Sequence, residues 1–257
     1  MAYTIKNYPY NQQLTAEENL LLDRLYRLKM TGMAITLEKQ LTDPNAELEP
    51  FITRVSEIIN AEWEQRQNTK FNKLKRQATL KYPDADLDES IYEPDRQLDT
   101  HTIELLAKCE WIDVPRNLLI TGATGAGKTH IANALCIAAL HQLRTVKYTR
   151  ATPLINEGMA SSASGEEVAF INKMSSYDLL VIDDFGLMDL SVKKCRLLFE
   201  ILETRDSRKA TMIVSQIPVS KWWDIFRNDT YADACLSRIT SRAHRLEFNG
   251  RDMRQPV

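Results

Sequence analysis

The residues with the clearest chemistry form a glycine-rich run, Gly122-Ala-Thr-Gly-Ala-Gly-Lys-Thr129. This run matches the pattern G-x-x-x-x-G-K-[ST], whose glycines let successive backbone N–H groups turn toward a phosphate without Cβ clashes. An apolar segment precedes the run and a segment rich in Ala and Leu follows it, as a strand and a helix would. We therefore predict an ATP-binding loop made of these residues: Gly122, Ala123, Thr124, Gly125, Ala126, Gly127, Lys128, Thr129 and His130.

Two side chains at the end of this run have separate tasks. Lys128 would supply a cation for the β- and γ-phosphates, and the Thr129 hydroxyl is placed to bind Mg²⁺. The helix that follows would add the partial positive charge of its N-terminus. The alternative is a glycine-rich turn with a chance lysine, but the flanking strand and helix favour the phosphate loop.

A second motif, Leu179-Leu-Val-Ile-Asp-Asp184, is an apolar strand that ends in two carboxylates. Asp183 would lie beside the phosphate loop and hold the Mg²⁺ shell. Asp184 would then polarise the attacking water. Many strands end in polar turns, so this motif gains its weight from being paired with the upstream loop.

Two further polar residues are catalytic candidates. Gln216 follows the predicted strand Thr211–Ser215, where a polar side chain could contact the γ-phosphate or the water, although a simple turn before Pro218 would give the same pattern. Arg238 is a candidate for an arginine that a neighbouring subunit inserts to stabilise charge on the transferred phosphoryl group. The alternative for Arg238, as for Arg242 and Arg245, is a surface salt bridge, and spacing does not separate the three.

The elements that must position these residues alternate between strands and helices from residue 116 onward. Such alternation predicts an α/β domain with a parallel sheet covered on both faces. The predicted strands are Asn117–Thr121, Thr145–Thr149, Leu179–Asp183, Thr211–Ser215 and Ala243–Phe248. The predicted helices include Lys128–Leu143, Val192–Thr204 and a helical stretch interrupted by Ser161–Gly165.

The region before the core is helical in pattern. A helix is predicted from Thr15 to about Met30, with Thr15 and Glu18 as a capping box. Leu21, Leu25 and Leu28 recur at helical spacing and are expected to face a core. A second helical run occupies residues 50–82, between Pro50 and Pro83. On its first half one face carries five large apolar residues, Phe51, Val55, Ile58, Ile59 and Trp63. We predict a helical domain over residues 1–95 and an ATPase domain over residues 96–257.

Composition narrows the classes of protein that fit. The 257 residues carry a formal net charge of −2, so the chain as a whole is not a basic nucleic-acid binder. The four cysteines lack C-x-x-C spacing, which disfavours a zinc site and predicts reduced, mostly buried thiols. The first residues have no apolar signal core, and the longest apolar stretch, Ile131–Leu140, is too short to span a bilayer. These features predict a cytoplasmic protein with no membrane partner.

A local basic run nevertheless lies between Arg66 and Lys81, a stretch with no acidic residue. If the run is helical, Lys70, Lys73 and Gln77 share one face, which could neutralise DNA phosphates without reading bases. The other interpretation is a solvated helix face, and the residues alone leave the two even. The DNA-contact candidates are Lys70, Lys73, Lys75, Arg76 and, more weakly, Lys147 and Arg150.

Taken together, these segments resemble a known family. In chain order they are LYRLKMTGMAITLEKQL, AEWEQRQNTKFNKLKRQATLKYP, GATGAGKTH, VKYTR, LLVIDDFGL, VSQIPVSKWWD, YADACLSRITSRAHRLEF and NGRDMRQPV. The chain is similar over nearly its full length to IstB, the ATPase helper encoded by a class of bacterial insertion sequences, and to AAA+ relatives that load replicative helicases. The nucleotide motifs alone identify the broad ATPase class. The N-terminal match, SQIPVSKWWD and RDMR are what point to IstB.

The resemblance implies a fold and a set of roles. It implies an AAA+ core with strand order 5-1-4-3-2 and a truncated lid, preceded by a small all-helical domain. Lys128 and Thr129 fall in the Walker A motif, and Asp183 and Asp184 in Walker B. Gln216 falls near sensor 1 and Arg238 at the arginine-finger position. Cys109–Ile112 falls near the adenine pocket, with Trp111 also interpretable as plain core.

The resemblance also implies partners. IstB-type proteins bind duplex DNA with little sequence preference, form ATP-dependent oligomers and assist a separate transposase in choosing a target site. Two departures from the wider AAA+ pattern stand out. Asp184 replaces the glutamate that many AAA+ proteins have, so slow hydrolysis, stimulated by assembly, DNA or partner, is expected. Few residues follow Arg238, so the arginine that a helical lid would supply is expected to be absent.

Two other functions fit the same residues. A helicase loader would use the same ATPase core with a hexameric helicase as its partner. A binding module would hold ATP without hydrolysing it. A transposase gene beside this one would favour the helper over the loader, and phosphate release would exclude the binding module.

Overall fold

The computed structural model of the protein describes residues 11–87, 99–188 and 190–248. These residues form two compact units that divide between Asn72 and Lys73. The domain boundary predicted after residue 95 falls in residues 88–98, outside the described part of the chain. The NGRDMRQPV segment lies outside it as well.

The N-terminal unit contains α1 (Ala16–Arg27), α2 (Thr31–Thr42) and most of α3 (Phe51–Ala78). The predicted capping box is confirmed: the Glu18 backbone N donates to Thr15 Oγ1 at 3.2 Å, and the Thr15 backbone N donates to Glu18 Oε2 at 2.7 Å. These two bonds satisfy N–H groups that a helix start leaves without partners. Helix α2 was not separately predicted.

The predicted apolar stripe on α1 is wrong in its register. Leu21 and Leu28 are 45% and 62% exposed, whereas Leu22 is fully buried. The small core of this unit joins Leu22 to Leu14 and Ala34, with Leu25 and Tyr26 packed against it. The inward face is therefore turned one residue along from the predicted stripe, because α2 packs on the Leu22 side of α1.

Helix α3 approaches α2 closely at Gly32, where a Cβ atom would lie 2.7 Å from the Ala61 carbonyl oxygen. The buried Glu62 carboxylate accepts the Gly32 backbone N–H at 2.9 Å, and so caps the start of α2 from outside the helix. Burial acts to raise the pKa of Glu62, but the bond from Arg66 and the α2 amides lower it below the ordinary value. The apolar face predicted on α3 is largely solvent-facing: Phe51 and Trp63 are 72% and 64% exposed.

The C-terminal unit is built on a five-stranded sheet. Its strands are β1 (Leu118–Gly122), β2 (Val146–Arg150), β3 (Leu179–Phe185), β4 (Ala210–Ser215) and β5 (His244–Phe248). All neighbours pair in parallel, in the order β2-β3-β4-β1-β5, which confirms the predicted sheet and its order. Because β4 separates β1 from β3, the loops after β1 and β3 flank a crevice at the carboxyl edge of the sheet.

Helices connect the strands much as the alternating pattern predicts. They are α4 (Thr100–Ala107), α5 (Glu110–Asp113), α6 (Lys128–His141), α7 (Ala151–Ala163), α8 (Glu167–Ser176), α9 (Val192–Arg205) and α10 (Asp229–Thr240). An interruption was predicted at Ser161–Gly165; the break between α7 and α8 lies at residues 164–166, so only its last two predicted residues are outside the helices, with Gly165 at a φ of +80°.

Each face of the sheet carries its own layer of helices. Strand residues Leu119, Ile182 and Ile213 belong to the core that α7, α8, α9 and α10 cover. Helix α6 packs on four of the strands from outside that core. Successive strand side chains point to opposite faces, so this division follows from the alternation along each strand.

The four cysteines are buried thiols that form no disulfide bond, as predicted. Burial raises the pKa of Cys109 to about 11 and that of Cys235 to about 12, so both stay protonated at neutral pH. Among the described residues, none of the helices is long and apolar enough to cross a membrane.

Candidate active site

The loop between β1 and α6 needs glycine for its shape. Gly122, Gly125 and Gly127 have φ values of +142°, +81° and +87°, which L side chains rarely adopt. A Cβ atom on Gly122 would also lie 2.3 Å from the Phe248 carbonyl oxygen of the neighbouring strand β5. Gly127 is the N-cap of α6, so the N–H groups of the first helical turn lie next to the loop.

A cavity of about 210 Å³ opens at this edge of the sheet. It lies where β1, β3 and β4 end, and it gathers most of the predicted site. Among its lining residues are Thr124, Gly125, Gly127, Lys128, Thr129, His130, Asp183, Asp184 and Gln216. Gly122 and Ala123 line an adjoining cavity together with Gln216, and Ala126 is buried beneath the loop.

Lys128 is held against the loop itself. The residue is only 7% exposed, and its Nζ donates to the Ala123 carbonyl oxygen at 2.6 Å. A buried ammonium needs such acceptors. A phosphate in the cavity would offer this cation a charged acceptor, which makes a stronger hydrogen bond than a neutral carbonyl.

Thr129 and Asp183 bring two elements together. The Thr129 Oγ1 on the first turn of α6 donates to Asp183 Oδ2 at the end of β3, at 3.0 Å. A hydroxyl and a carboxylate are the hard oxygen ligands that Mg²⁺ prefers, so this donor set fits that cation.

The same oxygen of Asp183 has a second donor that the sequence analysis did not identify. Tyr148, on β2, is buried, and its Oη donates to Asp183 Oδ2 at 2.5 Å. Burial, followed by this bond, raises the pKa of Tyr148 far above its ordinary value, so the phenol stays protonated as a donor. A buried tyrosine hydroxyl needs a hydrogen-bond partner. That requirement is the one signal from which a contact of Tyr148 with a polar residue could have been predicted.

Asp184 follows Asp183 directly, yet both carboxylates line the cavity. In a regular strand, consecutive side chains point to opposite faces. Strand β3 avoids this with a bulge: Ile182 pairs with Ile213 and Phe185 with Ser215, so two residues oppose one. Asp184 takes the left-handed conformation, with φ at +55°, and its N–H donates to Asp183 Oδ1 at 2.7 Å.

The end of β4 supports this bulge and closes the cavity. Ser215 is buried and its Oγ donates to the Phe185 carbonyl oxygen at 2.6 Å, which fixes β4 to the bulged strand. Gln216 points instead to the loop, where its Oε1 accepts a hydrogen bond from Thr124 Oγ1. Both residues line the cavity, but Ser215 is buried whereas Gln216 is half-buried.

Arg238 does not join the cavity of its own chain. Its guanidinium pairs with Glu203, donates to the Ala234 carbonyl oxygen at 2.8 Å and lies 4.8 Å from the Phe199 ring centroid. Its own carbonyl oxygen accepts from Asn117 at 2.7 Å, immediately before β1. Arg238 is therefore at the amino edge of the sheet and the phosphate loop at the carboxyl edge.

Two neighbouring arginines remain alternatives to Arg238. Arg242 lines a groove at the amino edge together with Arg238. Arg245 is exposed on β5. The positions of Arg238, Arg242 and Arg245 do not show which of the three would be supplied to a neighbouring subunit.

Trp111 is part of the core. It is 5% exposed, and its Nε1 donates to the Leu106 carbonyl oxygen at 3.0 Å. It lines a different cavity from the one at the phosphate loop.

The basic candidates for DNA contact differ in their surroundings. Lys70, Lys73 and Arg76 are exposed on α3, while Leu74 and Ala78 are buried. Lys75 instead pairs with Asp84 at 3.0 Å. Lys147 is half-buried and donates to Thr79 Oγ1 at 3.1 Å, whereas Arg150 is exposed at the end of β2.

Comparison with known proteins gives one consistent result. Residues 23–256 match the family model described as IstB-like ATP binding protein. A protein of Sinorhizobium fredii named as an insertion-sequence ATP-binding protein is 33% identical over 234 residues, which cover 91% of this chain and 95% of the relative. A protein of Pseudomonas fluorescens, named as the ATP-binding protein of insertion sequence IS1162, is 33% identical over 77% of this chain and 86% of its own length.

Solved structures share the fold at lower identity. The crystal structure of DnaI has a TM-score of 0.54 at 17% identity, covering 69% of this chain and 94% of that one. The replication initiator DnaA bound to AMPPCP and single-stranded DNA has a TM-score of 0.53 at 21% identity, covering 65% of this chain and 50% of that one. These likenesses establish the AAA+ type of α/β fold.

Removing the phenolic hydroxyl of Tyr148 tests its part in the site. In Tyr148→Phe, Asp183 loses one donor, and removal of such an outer partner typically weakens metal binding about tenfold to a hundredfold. We expect a correspondingly higher Mg²⁺ concentration to be needed for ATP binding, measured by titrating Mg²⁺ at fixed ATP. Tyr177→Phe, two residues before β3, is the matched control. An unchanged Mg²⁺ requirement in Tyr148→Phe would show that the hydroxyl has no such role.

Proposed function

The chain belongs to the IstB-like ATP-binding protein family, and we propose that it is an ATPase that assists a transposase. In this proposal it assembles on duplex DNA with ATP, hydrolyses the nucleotide and helps to select the target site. The observation that carries the ATPase part is the cavity in which the phosphate loop meets Thr129, Asp183 and Asp184.

The roles of the cavity residues follow from their positions. Backbone N–H groups of the loop and the start of α6 bind the phosphates, and Lys128 transfers its hydrogen bond from Ala123 to them. Thr129 and Asp183 would hold Mg²⁺, which when bound neutralises charge on the β- and γ-phosphates. Asp184 accepts a proton from the attacking water, and Gln216 orients that water or the γ-phosphate.

The length of the Asp184 side chain affects the expected rate of ATP hydrolysis. Its side chain is one methylene shorter than glutamate, and the bulge in β3 is what brings it to the cavity. Asp184 can act as a base only when the nucleotide and the attacking water are held close to its carboxylate. We therefore propose that ATP turnover is slow and that assembly, DNA or the partner stimulates it.

Oligomerisation is proposed from the location of Arg238. An arginine at the amino edge of the sheet does not reach the nucleotide of its own chain, but a neighbouring chain could receive it. The pairing with Glu203 and the Phe199 ring hold the guanidinium in a defined place before assembly. In this view each nucleotide lies between two subunits.

DNA binding and the transposase partner have separate support. The exposed cations Lys70, Lys73 and Arg76 offer contacts to phosphates rather than to bases. The relatives at 33% identity are named as insertion-sequence proteins, which suggests a transposase as partner. The DnaC and DnaI loaders share only the fold, at 19% and 17% identity, so the helicase-loader alternative has less support.

Two variants separate nucleotide binding from turnover. Lys128→Ala removes the cation from the phosphates and should weaken ATP binding about a hundredfold or more. Asp184→Asn should keep ATP bound and lower phosphate release about a hundredfold. Binding by calorimetry and phosphate release with and without DNA measure the two effects, with Lys173→Ala as a control. Full ATP affinity in Lys128→Ala would refute the phosphate loop, and an inactive wild type would indicate a binding module.

A triple replacement tests the DNA face of α3. Lys70→Ala, Lys73→Ala and Arg76→Ala together should weaken duplex binding and flatten its dependence on salt, by about 0.9 in slope for each phosphate that the variant no longer neutralises. The matched control removes three exposed lysines elsewhere, Lys108, Lys173 and Lys193. A salt slope equal to that of the wild type would place the DNA-binding site on another surface.

Mixing two inactive variants tests whether Arg238 acts across subunits. Arg238→Ala should bind ATP normally but hydrolyse it more slowly in the assembled state, by about a thousandfold or more. Asp184→Asn subunits still carry Arg238, so mixing the two variants should restore part of the turnover. Lys173→Ala, which removes an exposed cation on α8, is the control. If Arg238→Ala is fully active, Arg242 and Arg245 become the candidates.

A further inference from the structure

The residues that follow α3 form a strap along α6, which we define as residues 79–87. Thr79 ends the helix in a left-handed conformation, with φ at +55°. Its Oγ1 donates to the Tyr148 carbonyl oxygen on β2 at 2.9 Å, and Lys147 Nζ donates to the same Thr79 Oγ1 at 3.1 Å. The strap is thus fixed to the sheet at its first residue.

A fully buried asparagine on α6 holds the next part of the strap. Asn133 Oδ1 accepts the backbone N–H groups of Lys81 and Tyr82 at 3.0 and 3.2 Å. Its Nδ2 donates to the Thr129 carbonyl oxygen at 2.6 Å. A buried amide without such partners would be costly, so the docked strap is the arrangement in which Asn133 is satisfied.

Further contacts keep the strap on the first turns of α6. His130 Nε2 lies 3.3 Å from the Asp86 carbonyl oxygen, and its ring centroid is 6.1 Å from that of Tyr82. Asp84 pairs with Lys75 on the last turns of α3. The strap therefore lies beside the two residues that follow the phosphate-loop lysine, Thr129 and His130.

This docking brings new side chains into the cavity. Lys81 and Tyr82 line it together with Thr129, Asp183 and Asp184. The Lys81 side chain is exposed, with its Nζ 5.4 Å from the Tyr82 ring centroid, so it can move without giving up a buried partner. The cavity holds two carboxylates beside Lys128, and a nucleoside triphosphate would bring several more negative charges. Lys128 and the proposed Mg²⁺ would offset part of this negative charge, and Lys81 at the rim of the same cavity would offset more.

We propose that Lys81 binds the phosphates of the nucleoside triphosphate in this cavity, and that Asn133 is the positioning residue that docks it there. The inference rests on the proposed ATP site and adds a phosphate ligand from outside the loop and the core strands. The bound triphosphate and the docked strap then stabilise each other, because whatever favours one favours the other. Through the strap, the chain that leaves α3 becomes part of the nucleotide site.

ATP affinity in the presence of Mg²⁺ tests the role of Lys81. Lys81→Gln should weaken ATP binding about tenfold, as expected when one charge-assisted hydrogen bond is removed. Lys81→Arg keeps the charge and should stay within about threefold of the wild type. Lys173→Gln removes a lysine from an exposed site on α8 and is the matched control. An affinity of Lys81→Gln equal to that of this control would overturn the proposal.

A double-mutant cycle tests Asn133. Asn133→Ala leaves Lys81 in the chain but removes its dock, so it should weaken ATP binding to a similar degree. If Asn133 acts through Lys81, the double variant should bind no more weakly than the weaker single variant. Additive effects of the two substitutions would overturn the positioning role. Thermal unfolding shows whether Asn133→Ala is folded, and the exposed Lys81 variants keep the proposal testable if it is not.

The outcomes also separate this inference from the proposed function. If Lys128→Ala abolishes ATP binding while Lys81→Gln binds like the control, the role of the strap fails and the ATP site stands. If the wild type shows no affinity for ATP, the proposed function itself fails.

Discussion

The structure depends on one hydrogen bond across the crevice of the sheet, from Thr129 Oγ1 to Asp183 Oδ2 at 3.0 Å. Thr129 belongs to the helix after β1 and Asp183 to β3, and β4 lies between these two strands. The bond is possible because parallel strands end at the same edge of the sheet. Lys128, Asp184 and Gln216 line the same cavity as this pair.

Local departures from regular structure give the site its chemistry. A regular β3 would send Asp183 and Asp184 to opposite faces, and the bulge at Asp184 brings both to one cavity. The left-handed conformation of Asp184 is a cost that Ser215 helps to offset by bonding to the Phe185 carbonyl oxygen. Tyr148 places a neutral donor on Asp183, and this hydrogen bond fixes the orientation of the carboxylate.

The sequence predicted the parts of this arrangement that local patterns encode. Glycine spacing and the apolar run before Asp183 predicted the loop and the strands, and the family resemblance predicted the sheet order. Contacts between distant segments were not predictable: Tyr148 meets Asp183 only in the folded sheet, and the strap meets Asn133 across 52 residues of sequence. Helical periodicity also placed the α1 stripe one residue off, because the partner helix α2 decides which of Leu21 and Leu22 is buried. The roles of individual site residues remain predictions.

The most direct measurement is a crystal structure of the protein with Mg²⁺ and a non-hydrolysable ATP analogue. We expect the triphosphate within the loop Gly122–Lys128 and a cation bound by Thr129 and by Asp183, directly or through water. We also expect the base and ribose outside the carboxyl edge of the sheet. An empty loop, a nucleotide bound at another cavity, or Asp183 turned away from the cation would contradict the proposed nucleotide site.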